Sequence, residues 1–427
     1  SSSELVELTE MLAKGQHIKG LELEVYAAGG KDGPQIVDEF KFEDVLASSW
    51  TTGNAASNSL SFNYASVEYG HQIYGADGSA KGFTGAFDPA ANAIKAPQAD
   101  EVPPGTPLQY FMRVDGATND WVELHSFSLG MSQSGTVGGG GGGAGKANVT
   151  DVSVSLGTSA AAAELFEAGL VGKHFKFVEI EAYAAGGKEG LRLVDEFKFD
   201  DALVTSQQAG GAFDSPAAHN VSFNFSKLGH THVEYTENGG VGSETGMTFD
   251  VQANTASSTG PAANSDAIKG EQEAVVGADL ELYLRVDGVG AANEWLKLGS
   301  YSVGYSVSGG IGGGGGGAGT AILQDLSAVL GSSSELVELT EMLAKGQHIK
   351  SVELEAYALG GKEGHRIIDE FKFTDVLVSS WQTSDATVNS LTFDYAGVSY
   401  GHQLYSETGA PSGFAGDHDP VGDIAFF

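Results

Sequence analysis

The chain contains no cysteine among its 427 residues. Disulfides, thiolate zinc sites and cysteine nucleophiles are therefore excluded, although the compartment is not, since cytosolic and secreted proteins alike can lack cysteine. Basic residues are scarce: 22 lysines and arginines stand against 56 aspartates and glutamates, a formal net charge of −34. Such a surface repels phosphate backbones and anionic membranes, so neither nucleic acid nor a membrane surface is an expected partner. It favours solubility, diffuse attraction of divalent cations, or a saline habitat. No apolar run approaches the roughly 18 residues of a spanning helix, and no basic-then-apolar signal peptide opens the chain. The chain starts on Ser1 rather than Met, as a processed, recombinant or partial chain would.

What the chain has in abundance is one unit written three times. "HIKGLELEVYAAGGKDGPQIVDEFKFEDVL" begins at His17, "HFKFVEIEAYAAGGKEGLRLVDEFKFDDAL" at His174 and "HIKSVELEAYALGGKEGHRIIDEFKFTDVL" at His348. The spacings of 157 and 174 positions suit one compact domain per copy, each burying its own core. They are far longer than the roughly 20–50 residues of a solenoid repeat.

Each copy reads alike. Leu5, Leu8 and Leu12 recur at helical spacing after Ser3, with Gly15 beyond the last turn: an N-capped, glycine-terminated amphipathic helix. It returns at Glu335 to Gly346 and, shortened, at Ala160 to Gly172. Leu21, Leu23 and Val25 then alternate with Glu22 and Glu24, Ala28-Gly29-Gly30 turns the chain, and Ile36 to Val45 alternates again. A third strand follows at Ser59 to Tyr74, recurring from Asn220 and from Ser390, and a short closing segment begins at Gly82, Gly246 and Gly413.

The second and third copies also carry a first half. It holds "QYFMRVDG" from Gln109 or "ELYLRVDG" from Glu281, a strand from Trp121 or Trp295, six glycines, and "NVTDVSVSL" or "ILQDLSAVL". The first copy has no such half. Yet residues 1–19 repeat residues 332–350 letter for letter. Its barrel is expected to be incomplete, either as a piece of a longer array, through cleavage, or because another chain supplies the strands. A half-barrel alone leaves open edges and an exposed core.

These elements, in this order, resemble the haemolysin-coregulated protein (Hcp) family, the tube protein of bacterial type VI secretion. The likeness rests on a strand ending in Asp-Gly, "SQSG" at Ser132, the glycine-rich loop into "AGKANVTDVS" at Ala144, "GKHFKFVEIEAYAAGGKEG" at Gly172, "FKFDDALVTS" at Phe197 and "FDVQAN" at Phe249. The resemblance implies a mainly β fold: tandem Hcp-like closed β-barrels, each with one flanking α-helix, the N-terminal copy incomplete. It also implies assembly, since single-domain family members form hexameric rings that stack into a hollow tube, are exported and can carry effectors. Here the barrels are instead strung in tandem. The expected division is 1–96 for the C-terminal part of a first barrel, 97–107 for a Pro-rich linker, 108–256 for a second barrel, 257–277 for another linker and 278–427 for a third barrel.

No catalytic constellation stands out. The runs Gly138–Gly143 and Gly312–Gly317 lack the Gly-Lys-Ser/Thr of a phosphate loop, because Gly145-Lys146 is followed by Ala147; they read as flexible loops, with subunit contact as the second reading. His17, His174 and His348 recur at one position, His71 matches His402, and His230 with His232 lie near the same place; all read as barrel-rim or interface histidines rather than metal ligands. Asp417, Asp419 and Asp423 read as a solvated loop, with a calcium-stabilised linker as the alternative, the spacing not matching an EF-hand. The pairs Asp38-Glu39, Asp195-Glu196 and Asp369-Glu370 point to opposite strand faces and read as a solvated or interface edge. No Gly-x-Ser-x-Gly elbow occurs. The expected function is therefore structural, not enzymatic, with no catalytic, cofactor or metal residue assigned. The chain is expected to be a secreted or extracellular bacterial protein, cytoplasmic before export, self-associating through neighbouring barrels into a filament or surface layer. The alternatives are a type VI tube component or cargo carrier in hexameric or pseudo-hexameric rings, and a ligand- or calcium-binding secreted module.

Overall fold

The computed structural model describes residues 3–27, 35–53, 57–74, 80–84, 107–117, 120–133, 146–186, 190–212, 215, 217–236, 240–263, 280–290, 294–307, 320–331, 333–358, 366–385, 388–405 and 411–416. The turn at 28–30, most of both linkers, the two glycine runs and the Asp417, Asp419 and Asp423 cluster lie outside the described residues.

The first copy contributes α1 (Ser3–Lys14), β1 (His17–Ala27), β2 (Gln35–Gly53), β3 (Ser57–Tyr74) and β4 (Ala80–Thr84). The second opens with β5 (Leu108–Val114), β6 (Val122–Gln133), β7 (Ala147–Val149) and β8 (Val152–Gly157). It continues with α2 (Ala160–Leu170), β9 (His174–Gly186), β10 (Gly190–Ala212), β11 (Ala218–Asn224), β12 (Lys227–Tyr235), β13 (Val241–Asp250) and β14 (Thr255–Ser257). The third has β15 (Leu280–Val286), β16 (Leu296–Val307), β17 (Ala321–Leu330), α3 (Ser334–Lys345), β18 (His348–Ala358), β19 (Arg366–Asp385), β20 (Val388–Tyr405) and β21 (Pro411–Ala415). The fold is mainly β, as the alternation implies. The chain divides into two compact units: residues 1–107 with 129–150 and 229–263, and residues 108–128 with 151–228 and 264–427.

The second unit holds two closed rings of antiparallel strands. In the third copy β15 pairs with β16, β16 with β17, β17 with β20, β20 with β19, β19 with β18, and β18 returns to β15. In the second copy the ring runs β5, β6, β8, β11, β10, β9 and back to β5. Closure removes the open edges that a flat sheet would expose. Period-2 alternation sends Leu282, Leu284, Val352, Leu354, Phe371, Phe373 and Phe393 inward, and all are buried.

In the first unit, the first copy forms an open sheet. Among the described residues β1 pairs with β2 alone, and β3 with β2 and β4 alone. The unit also contains the far end of β6, all of β7, the end of β12, and β13 and β14.

One expected strand is broken. The stretch from Asn220 to Tyr235 reads as continuous, but it splits into β11 and β12 because Ser226 turns aside. Its backbone N–H and its hydroxyl both donate to the Asp200 carbonyl, at 3.0 and 3.1 Å. The helices end as their sequences dictate: the Ser333 hydroxyl accepts from the Leu336 N–H, and Gly346 closes α3 with φ 58°, a left-handed conformation that suits glycine.

Candidate assembly interface

The strands of one copy extend beyond its own sheet and clasp an edge of the preceding copy. In the first unit Ser49–Thr52 of β2 pairs with Leu129–Ser132 of β6, Trp50 lying opposite Met131. In the second unit Ser206–Ala212 of β10 pairs with Ser300–Ser306 of β16, Gln207 lying opposite Tyr305. Trp50 and Gln207 occupy one position of the repeat, and so do Met131 and Tyr305. The two joints therefore share one register.

Side chains seal each joint. Trp50 is 0% exposed, and its indole stacks on His230 with ring centroids 6.1 Å apart and planes 13° from parallel. At the second joint the Tyr305 hydroxyl donates to the Leu165 carbonyl at 3.3 Å, and its ring meets Phe166 edge to face. Phe166 also packs against Phe371 and Tyr400 of the third copy. The Gln207 amide donates to the Ala162 carbonyl at 2.8 Å.

Backbones approach so closely here that a side chain has no room. A Cβ at Gly304 would lie 2.6 Å from the Gln207 carbonyl oxygen, a backbone atom held in the ladder. We therefore expect Gly304→Val to destabilise the second joint by about 1–3 kcal/mol, the usual cost of overpacking. Gly331→Ala, where a Cβ meets nothing within 4 Å, serves as the control. Urea titration of both variants is the measurement, and equal midpoints would contradict the assignment.

The helices report the joint most directly. α1 and α3 have one sequence, SELVELTEMLAK, but bury different faces. α3 buries Leu336, Leu339 and Met342, a stripe turned toward its own barrel, and packs on β19. α1 buries Leu5, Val6, Thr9, Leu12 and Ala13 and packs on β13 and β14 of the following copy as well as on β2. Val6 is 1% exposed while its counterpart Val337 is 67% exposed. The face that α1 uses at the joint is thus open on α3. α2 makes the equivalent contact with β20 and β21.

The histidines singled out by their recurrence fall at several places. His17, His174 and His348 contact Asp44, Asp201 and Asp375 at 2.7, 2.9 and 2.8 Å. Each of these aspartates has φ near +50°, at a strand irregularity that aspartate tolerates better than most residues. His230 and His232 are both buried, and His402 contacts Asp369 at 3.1 Å. The side chain of His71 lies outside the described residues. His219, which sequence reasoning passed over, is buried at the second joint: its ring stacks 5.6 Å from Tyr400, and Gln207 and the Tyr400 hydroxyl lie 3.4 Å from its two nitrogens.

The carboxylate pairs are expected at a solvated or interface edge; the solvated reading is corrected for four of the six residues, while Asp38 and Glu370 are half-buried. Glu39, Asp195, Glu196 and Asp369 are buried. The neighbours do point to opposite faces: Asp369 accepts from the Tyr400 hydroxyl at 2.9 Å, while Glu370 joins Glu353 and Glu355. The equivalent Glu179, Glu181 and Glu196 bring carboxylate oxygens within 4.8 Å of one another, a set that could hold a cation. In the second copy Arg113 donates to Glu179 at 2.6 Å from a position over the Trp121 ring, and the Tyr183 hydroxyl donates to Glu181. In the third, Arg285 and Tyr357 donate to Glu353 and Glu355. Burial first, then Glu355 and Glu353, push the Glu370 carboxyl up to about 7. In both copies an arginine lies against the cluster and offsets part of the charge that the adjacent carboxylates create. The signal in the sequence is the recurrence of Glu-x-Glu opposite Asp-Glu, with Arg-Val-Asp in the first half.

A comparison with curated proteins returned no match. Among solved structures, Hcp1 from Salmonella typhimurium is 21% identical with a TM-score of 0.29, over 35% of this chain and 99% of that one. A type VI secretion system effector from Yersinia pestis is 14% identical with a TM-score of 0.23, over 31% and 95%. The secreted protein Hcp3 from Pseudomonas aeruginosa is 10% identical with a TM-score of 0.22, over 31% and 96%. The sequence matches the family described as "Type VI secretion system effector, Hcp" over residues 113–232 and 289–402, more than half of the chain. With this match and the repeated barrel both in hand, the chain belongs to the Hcp family of type VI secretion.

Proposed function

We propose that this chain is an exported structural protein of a type VI tube-like assembly, in which one polypeptide supplies several barrels in a row. It is divided into the C-terminal part of a first barrel at 1–96 and two barrels at 108–256 and 278–427. The observation that carries this reading is the joint itself. The same edge of one copy is extended by the next, twice, in one register. A joint that repeats in one register is a rule for continued assembly, and continued assembly is what a tube needs. The side chains invested at the joint (Trp50, Tyr305, Phe166) are the large aromatics that dominate protein interfaces. The role is structural rather than enzymatic.

A filament or surface layer is the second reading, favoured by the net charge of −34, which suits a solvated extracellular surface. Negative-stain microscopy of the native protein across salt and calcium concentrations separates the two. Rings with a lumen and sixfold or pseudo-sixfold symmetry are the expected result. Thin straight fibres without a lumen would favour the filament, and single dispersed chains under every condition would count against both.

A further inference from the structure

We infer that the joint is keyed: at one shared backbone register, paired side chains exchange bulk between the first joint and the second, so that each copy accepts the edge of its own successor and rejects the other. The inference rests on the proposed reading of that joint as the unit of assembly. The exchange begins on the strands. At the first joint the preceding copy supplies the large ring, Trp50, and the following copy sets Met131 opposite it. At the second joint the preceding copy supplies Gln207, and the following copy supplies the large ring, Tyr305. All four side chains are buried.

The helix of the preceding copy completes each key. Leu12 and Gly169 fall at one position of the repeat, before His17 and His174. A Cβ at Gly169 would overlap the Tyr305 hydroxyl and lie 2.5 Å from its ring carbon Cζ. Tyr305 is wholly buried and meets Phe166 edge to face with ring centroids 5.1 Å apart, so its ring cannot swing aside. Only a residue without Cβ leaves this tyrosine its slot. At the first joint the slot is filled by Leu12, which is wholly buried. β6 lies against it there: Gln133, on the same strand as Met131, donates to the Leu12 carbonyl at 3.3 Å. Thr9 and Phe166 also share one position, and both are buried. The small Thr9 accompanies Trp50, and the large Phe166 accompanies Gln207. Exchanges that conserve volume are tolerated in a close-packed interior, whereas a mixed pair overfills it or leaves a void. A clash built against the wrong neighbour is how such a surface gains specificity.

The test compares four full chains by hydrogen exchange of the amides in 206–212 and 300–306, the paired strands of the second joint. Gly169→Leu alone is expected to speed their exchange about 10- to 100-fold by overpacking. Tyr305→Met alone, which leaves a void, should speed it about 10-fold. The double variant Gly169→Leu with Tyr305→Met carries the first joint's key and should return to within about 3-fold of wild type. Amides of 352–358, in the ladder between β15 and β18, report whether the third barrel stays folded and should be unchanged. If Gly169→Leu speeds them too, the second key decides: Phe166→Thr and Gln207→Trp should each speed exchange at the joint, and together should give slower exchange than either alone. Effects that simply multiply in the double variants would overturn the keying while leaving the joint in place. Unchanged exchange at 206–212 and 300–306 in every variant would overturn both the keying and the joint on which it rests.

Discussion

Trp50→Ala will cost about 3–5 kcal/mol, and Trp381→Ala will change stability by less than about 0.5 kcal/mol. The two tryptophans occupy one position of the repeat, each after a Ser-Ser pair, and each indole N–H faces an asparagine eight residues on, at 3.2 and 3.4 Å. Their local sequence and hydrogen bonding are matched. They differ in what covers them. Trp50 is wholly buried at the joint with Met131 opposite and His230 stacked on it, whereas Trp381 is 42% exposed. Truncating a buried tryptophan removes its transfer free energy and leaves a cavity, while truncating an exposed one removes little. Urea unfolding of the two variants, with hydrogen exchange assigning each transition, measures the contrast. Equal losses would mean that the joint contributes nothing and that Trp50 is held by its own sheet. Should Trp381→Ala instead become costly only in assembled protein, the same position would be serving as a joint between molecules.

Much of the fold was legible from the sequence. Strict alternation in "LELEV", "VEIEA" and "VELEA", and in "FKF" read three times, leaves few options other than half-buried strands, and the Ser and Gly that bound the helix mark its ends. The joint was not legible, because it depends on neighbours rather than on local pattern. The identical α1 and α3 make the point: twelve letters in common, and Val6 buried while Val337 is exposed. No reading of those letters alone could separate the two. The glutamate clusters escaped for another reason. A glutamate between two apolar residues reads as the solvent face of a strand, and only the arginine of a distant strand, Arg113 or Arg285, shows that the face is covered. The break at Ser226 escaped because a serine hydroxyl bonding a carbonyl across the sheet leaves no trace in hydrophobic periodicity.

Acidification will weaken the second joint, and His219 is the group responsible. Burial holds its imidazole down at about 4, against an ordinary value near 6.5; Asp369 partly opposes that shift and His402 adds to it. Between those values the unfolded chain binds a proton that the folded chain refuses. Stability therefore rises with pH across this window: the contribution is complete above about 6.5 and is lost progressively as the pH falls toward 4. The shift corresponds to about 3 kcal/mol, a large part of a domain's net stability. His219→Phe keeps a ring against Tyr400 and removes the titration, giving up only two contacts of 3.4 Å. Glu370, held near 7 by burial, titrates in the opposite sense, favouring the folded state as the pH falls toward its ordinary range. It is common to both proteins, so it cancels in their difference. The difference in unfolding free energy between wild type and His219→Phe, measured by urea titration at intervals from pH 7.5 to 4, should shift by about 3 kcal/mol in favour of the variant as the pH drops. A difference that stays flat over that range would show that the folded protein protonates His219 freely, and that the second joint is open enough at its centre to admit the charge.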